Sequence, residues 1–448
     1  MRTFFPHALG VAAALAVFGP SRSSADAPSA ADTPPPVPVT RTELKQTLEN
    51  SKHSKPRLPL PPLTAEEKAK AAEGDWGVVN NGRMRKHYLP AEVTGGGFLR
   101  GTDPVMSLGY PFQTMLFWIV SRGNNCTYCL GHQESKLAAA GVGEDRVAAL
   151  DGDWSEFTPA ERSAFALAKK LTYEPHKLTA DDIERLRPFY NDAQILEAVL
   201  VVGNFNAMNR WTGALRIPQE EHRAYLTATA DRYKDLRSRV APLSGDASGT
   251  PACAAPAQRP PLESRAEVES ALSACRSRAP RLPLVADDKA RAAIPSGWEL
   301  GSAPVPQWVR LVATFPKAGP ARVAMHRATE TKGRLNAKLK AEIAWVAARN
   351  DRAWYALNDA RRRLHAVGLT DDQIFALDSN PDALAPAERL ALAFARKLTV
   401  DPALITDTDV EGLRKHYGDF EVAEIVHQVT EAAFFDRVTE AAGLKAED

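Results

Sequence analysis

Apolar positions recur along the chain with helical spacing. Thr158-Pro159-Ala160-Glu161 is a capping box with proline at the first helical position, and Phe165, Ala168 and Leu171 follow it on one face. Thr179 with Asp182 opens another helix, and Asp192 leads into Ile195, Leu196, Val199, Val202 and Phe205, a face wide enough for a buried helix. No run alternates apolar and polar residues between hairpin turns. The pattern predicts an all-α protein.

The pattern also repeats. Pro56-Arg57-Leu58-Pro59-Leu60 returns as Pro280-Arg281-Leu282-Pro283-Leu284, and Pro159-Ala160-Glu161-Arg162 as Pro386-Ala387-Glu388-Arg389. At an offset of 227, residues 141–197 match their counterparts at 24 of 57 positions without a gap. One domain has been duplicated, and the two copies are expected to pack as an internal pseudo-dimer. The expected organisation is a leader over 1–25, a Pro/Ala-rich tether and short helix over 26–55, a first domain over 56–232, a linker over 233–279 and a second domain over 280–448.

Composition narrows the function. The 448 residues are 44% hydrophobic and 25% charged, with 56 basic against 55 acidic side chains. Such balance argues against a nucleic-acid binder, which needs a basic excess to neutralise phosphates. Met1-Arg2, the apolar run Ala8 to Phe18 and the small residues Ser23, Ser24 and Ala25 read as a secretory signal peptide cut near Ala25. The run of about 11 residues is too short to span a bilayer, so an exported chain without a membrane span is expected. Cys253 and Cys275, in and just after the linker, are then expected to pair as a structural disulfide.

The sharpest chemical signal is Asn124-Asn125-Cys126-Thr127-Tyr128-Cys129-Leu130-Gly131-His132. The preceding apolar segment, Phe112 to Val120, places Cys126 near a helix N-terminus, where free N–H groups favour a thiolate. Cys129 lies about one turn on, within reach of a disulfide, and His132 one further turn, within reach of Cys129 for proton exchange. A structural disulfide is the plainer reading of the pair. Zinc on Cys126, Cys129 and His132 lacks an evident fourth ligand, and covalent haem would need histidine where Leu130 stands. No cofactor or metal is expected. Phe112, Phe117 and Trp118 read as core, and Asn206 and Asn209 either as partners of the cysteine helix or as caps of a neighbour.

With the Asn-Asn-Cys-x-Tyr-Cys string, the following Ala140-Gly141-Val142 and Asn204-Phe205-Asn206-x-x-Asn209-Arg210, the chain resembles the carboxymuconolactone decarboxylase superfamily in its alkylhydroperoxidase D-like branch. The resemblance covers residues 100–215 and, in degenerate form, 327–445. It implies a thiol-dependent peroxidase with a hydroperoxide substrate and a dithiol reductant, in which Cys129 attacks, Cys126 resolves and His132 moves the proton. It also allows a homo-oligomer of pseudo-dimers. Gln133 stands where the branch has its histidine, and Phe112-Gln113-Thr114-Met115 where it has a relay glutamate, which leaves Glu134, Glu161 or the other domain to supply one. In the second copy Ala353, Ala356 and Asp359 replace Cys126, Cys129 and His132, while Tyr355 keeps Tyr128 and Glu342 stands near the relay position. That copy is expected to serve as scaffold. The competing readings are a decarboxylase-like enzyme with a basic pocket and a non-catalytic helical binding module.

Overall fold

The structure is a computed structural model that describes residues 33–72, 79–94, 103–242, 260–379 and 381–447. Among them every regular element is helical, and the one β feature is an isolated bridge between Thr40 and Arg237. The protein is all-α. The expected leader and Cys253 lie outside the described residues.

The helices that build the site are α1 (Arg41–Asn50), α2 (Asn80–Tyr88), α3 (Tyr110–Gly123), α4 (Thr127–Ala139), α5 (Pro159–Tyr173) and α6 (Asp192–Ala214). Their counterparts are α7 (Arg265–Arg276), α8 (Gln307–Val312), α9 (Ala337–Asp351), α10 (Trp354–Ala366), α11 (Pro386–Val400) and, after α12 (Asp407–Arg414), α13 (Asp419–Ala442). From α3 to α6 each helix begins 227 residues before its counterpart. Thr158 caps α5 through the Glu161 N–H, and Asn191 caps α6 through Gln194. Residues 265–276, expected inside the linker, instead form α7. It is capped by Ser264 and Glu267 as α1 is by Thr40 and Glu43, and it packs on α10 as α1 packs on α4. The linker is therefore shorter than its composition suggests. Likewise the end of the tether is held against the body, with Ser238 N–H donating to Val39 O at 2.8 Å.

The broadest helix contact is between α6 and α13, which run antiparallel: Gly203 meets Phe434 and Val438, whereas Trp211 meets His427. A Cβ on Gly203 would stand 2.9 Å from Val438 Cγ2, so this crossing depends on the absence of a side chain. Both helices are buried over most of their length, as the wide apolar face predicts, and one hydrophobic core continues through both halves.

Four guanidinium groups stitch the halves together. Arg57 donates to Ile405 O at 2.8 Å and Arg281 to Leu178 O at 3.2 Å, which explains why the Pro-Arg-Leu-Pro-Leu string occurs twice. Arg210 donates to Thr399 O at 2.9 Å and Arg437 to Thr172 O at 3.2 Å. Each pair is related by the repeat. Arg437 also holds the fully buried Asp351 at 2.8 Å.

Arg437→Leu removes the charge that balances Asp351 inside the core. Urea unfolding should show a loss of about 3–5 kcal/mol, and the double variant Arg437→Leu/Asp351→Leu should recover most of it, because the cost lies in the stranded carboxylate.

Candidate active site

The turn between α3 and α4 forms because Asn125 adopts φ +48°, a left-handed conformation that asparagine tolerates better than most residues. The counterpart Arg352 does the same at φ +53°. Asn125 Nδ2 donates to Pro36 O at 3.2 Å, and Asn124 Nδ2 donates to Asn206 Oδ1 at 3.1 Å. The turn leaves Cys126 as the N-cap of α4, its Sγ accepting the Cys129 N–H at 3.4 Å. The expected placement at a helix N-terminus is what the structure has.

Both thiols are free and buried, with 2% and 3% exposure for Cys126 and Cys129. Thr212, near the end of α6, joins them: its Oγ1 lies 3.0 Å from Cys126 Sγ and 3.2 Å from Cys129 Sγ. Burial pushes both thiols up. At Cys126, hydrogen bonds from the Cys129 thiol, Thr212 and the Cys129 N–H outweigh burial and hold it below an ordinary thiol. Cys129 is pushed well above by burial and by its hydrogen bond to Cys126.

His132 does not reach the thiols through either ring nitrogen. Nε2 lies 2.8 Å from Glu220 Oε2, and Nδ1 lies 3.3 Å from Arg223. Burial holds its imidazole below the usual value despite Glu220. Glu220 also accepts Tyr128 Oη–H at 2.8 Å and Asn80 N–H at 2.9 Å, and these bonds with that of His132 overcome burial to keep it far below the usual carboxylate range. Gln219 clamps the same helix by donating to Thr127 O and Tyr128 O. Gly131 makes the clamp fit, since a Cβ there would stand 2.2 Å from Gln219 Nε2.

Neither relay candidate joins this network. Glu134 is held by Arg41 at 2.5 and 2.8 Å and by Trp118 Nε1 at 3.1 Å, while Glu161 is spent on the α5 cap and on Arg146. Glu342 is ion-paired to Lys338 at 3.0 Å, and burial together with Glu388 raises it to about 7. Phe117 and Trp118 are core as expected, and Phe112 stacks between Phe165 and Tyr190. Cys275 is fully buried with its Sγ 3.5 Å from Leu444 O, and its expected partner Cys253 lies outside the described residues. Among the described residues no His/Cys/Asp/Glu group is arranged to hold a metal.

A cleft of about 250 Å³ opens on Cys126, lined also by Thr212 and Tyr128 from the first half. Pro402, Ala403 and Ile405 from the second half close its far wall, and Pro35 and Pro36 of the tether its rim. Cys129 does not line it. Its one charged lining residue is Arg216, held at φ +47° while it donates to Lys55 O and Asp407. A dithiol beside a cleft with one charged lining residue among the described residues can react with small neutral electrophiles and close a disulfide. Thr212, Glu220 and Arg223 escape a reading of local spacing; Glu220 alone leaves a trace, because it and Tyr128 recur as Glu447 and Tyr355 with the same bond, at 2.7 Å.

No family model matches the chain. Residues over a 95-residue stretch are 30% identical to a Bacillus subtilis (strain 168) protein named "Uncharacterized protein YdfG". That stretch is 20% of this chain, which spans about 64% of the relative's length.

Ala403→Trp should fill the cleft from the second half. Alkylation of Cys126 by a bulky maleimide should slow several-fold, with the melting midpoint moving by no more than about 4 °C, as for other substitutions outside the core.

Proposed function

We propose that the chain is a thiol-dependent peroxidase of the alkylhydroperoxidase D-like kind, reducing hydroperoxides by cycling Cys126 and Cys129 between dithiol and disulfide. The observation that carries this reading is the pair itself: two reduced thiols share one hydroxyl at a helix N-terminus, beneath a cleft with a single charged side chain. A structural disulfide across three residues would close too small a loop to stabilise the fold appreciably. The mostly uncharged lining suits a neutral hydroperoxide.

The decarboxylase-like reading asks for a basic pocket. A cavity of about 340 Å³ lined by Lys55, Arg57, Arg216 and Arg414 lies beside the cleft, yet Asp407 already engages Arg57 and Arg216, and Asp419 engages Arg414. That pairing favours the thiol reading. An exported setting, in keeping with the leader-like residues 1–25, would require a dithiol reductant outside the glutathione pool. The second half serves as wall and scaffold, since alanines occupy its thiol positions.

With a dithiol reductant in excess, the full-length protein should consume an alkyl hydroperoxide, and Cys126→Ser and Cys129→Ser should each lower turnover by about 10²-fold or more, the scale on which loss of a nucleophile acts. Unchanged turnover in both variants, or none in the wild type, would remove the peroxidase assignment.

A further inference from the structure

We infer that Cys126 is the thiol that attacks and Cys129 the one that resolves, with Thr212 passing the proton between them. The assignment rests on the thiol reading above and reverses the order that the resemblance implies. It stands on geometry. Cys126 forms part of the cleft floor and Cys129 does not, so a substrate in the cleft meets Cys126 first. Cys126 Sγ also receives the Cys129 N–H, whereas Cys129, one turn inside the helix, receives no backbone donor. Charge on sulfur is thus solvated by the helix end at Cys126.

The surroundings agree. The groups that bear on the Cys126 thiol are the Cys129 thiol, Thr212 and the Asn209 amide, all uncharged, and the one charged group in the cleft is the Arg216 cation. Glu220, the carboxylate bonded to His132, is bonded as well to Tyr128 and Arg223 and to no sulfur.

Thr212 completes the path. Its hydroxyl donates to Met208 O at 3.0 Å, a carbonyl in the interior of α6 that the helix already satisfies, so the proton can turn to sulfur at little cost. In the first step Cys126 gives its proton to solvent and its S⁻ attacks the terminal peroxide oxygen; the S–O bond forms, the O–O bond breaks and the alkoxide takes an equivalent proton back from solvent. In the second step Cys129 sulfur attacks the sulfenic sulfur. Its proton passes to Thr212 Oγ1 while the Thr212 proton goes to the departing hydroxide, so that the S–S bond forms and water leaves. One hydroperoxide and two thiols give one alcohol, one water and one disulfide.

Peptide mapping after brief iodoacetamide treatment of the reduced wild type decides the order without any variant. Cys126 should be alkylated at least about tenfold faster than Cys129 at pH 7, with a pH midpoint below that of an ordinary thiol. Preferential labelling of Cys129 would overturn the assignment. Limiting alkyl hydroperoxide with a 1,3-dione trap should give the sulfenic adduct on Cys126 in Cys129→Ser; a wild-type rate of trapping on Cys129 in Cys126→Ser would equally overturn it. Thr212→Val should raise the Cys126 midpoint and slow its alkylation about tenfold, with Thr212→Ser restoring both. Cys126-first labelling without peroxide consumption would leave the thiol order standing and remove the peroxidase reading alone.

Discussion

The molecule depends on four guanidinium groups, three of them buried, that each cross from one half to a main-chain carbonyl of the other. A carbonyl at the end of a helix or in a turn has no intrahelical donor, and a buried one left unpaired costs about 1–3 kcal/mol. Arg57, Arg281, Arg210 and Arg437 satisfy Ile405, Leu178, Thr399 and Thr172 in turn. Each half therefore completes the hydrogen bonding of its neighbour. The α6 and α13 helices can then run against each other with apolar faces nearly all round, a pattern that neither could sustain facing water.

The same constraint positions the thiols. Helix α6 brings Asn206 and Asn209 beneath the turn before α4 and brings Thr212 between the two sulfurs; four residues later the chain leaves the helix at Arg216 and returns over α4 as the Gln219–Glu220 clamp. In the second half the positions of Asn124 and Asn209 carry Asp351 and Asp436. There burial and Asp351 push the Asp436 carboxyl well above its ordinary value. Carboxylates at those places beside a thiol would raise it in the same way, whereas neutral amides let Cys126 ionise. The difference between the copies thus extends beyond the cysteines to the field around them.

The helical class, the caps at Thr158 and Thr179 and the repeat were legible because they are local or periodic. Cys126 at a helix start was legible for the same reason. What escaped was whatever depends on direction. Helical spacing puts His132 near Cys129, but its ring is drawn to Glu220 and Arg223, residues 88 and 91 positions away in sequence. Thr212 lies 83 residues from Cys129 and looks in sequence like one more polar residue near a helix end. The linker misled through its composition: proline and alanine surround α7, whose capping box of Ser264 and Glu267 was there to be read.

On the proposed thiol reading, a hydroxyl between two thiols answers a specific difficulty of a buried redox pair. A cationic partner would lower both thiols, yet it would also stand unpaired inside the core once the disulfide formed, at a cost of several kcal/mol. Threonine carries no charge to strand. It offers one donor and two acceptor lone pairs, and in the disulfide state its proton can return to Met208 O, which is within 3.0 Å. The β-branched side chain has few rotamers in a helix, so Oγ1 is held near both sulfurs by the backbone of α6 itself. Because α6 is fixed by its contact with α13, the placement of that one oxygen is set by the union of the two halves. A second half without thiols is accordingly still part of the site.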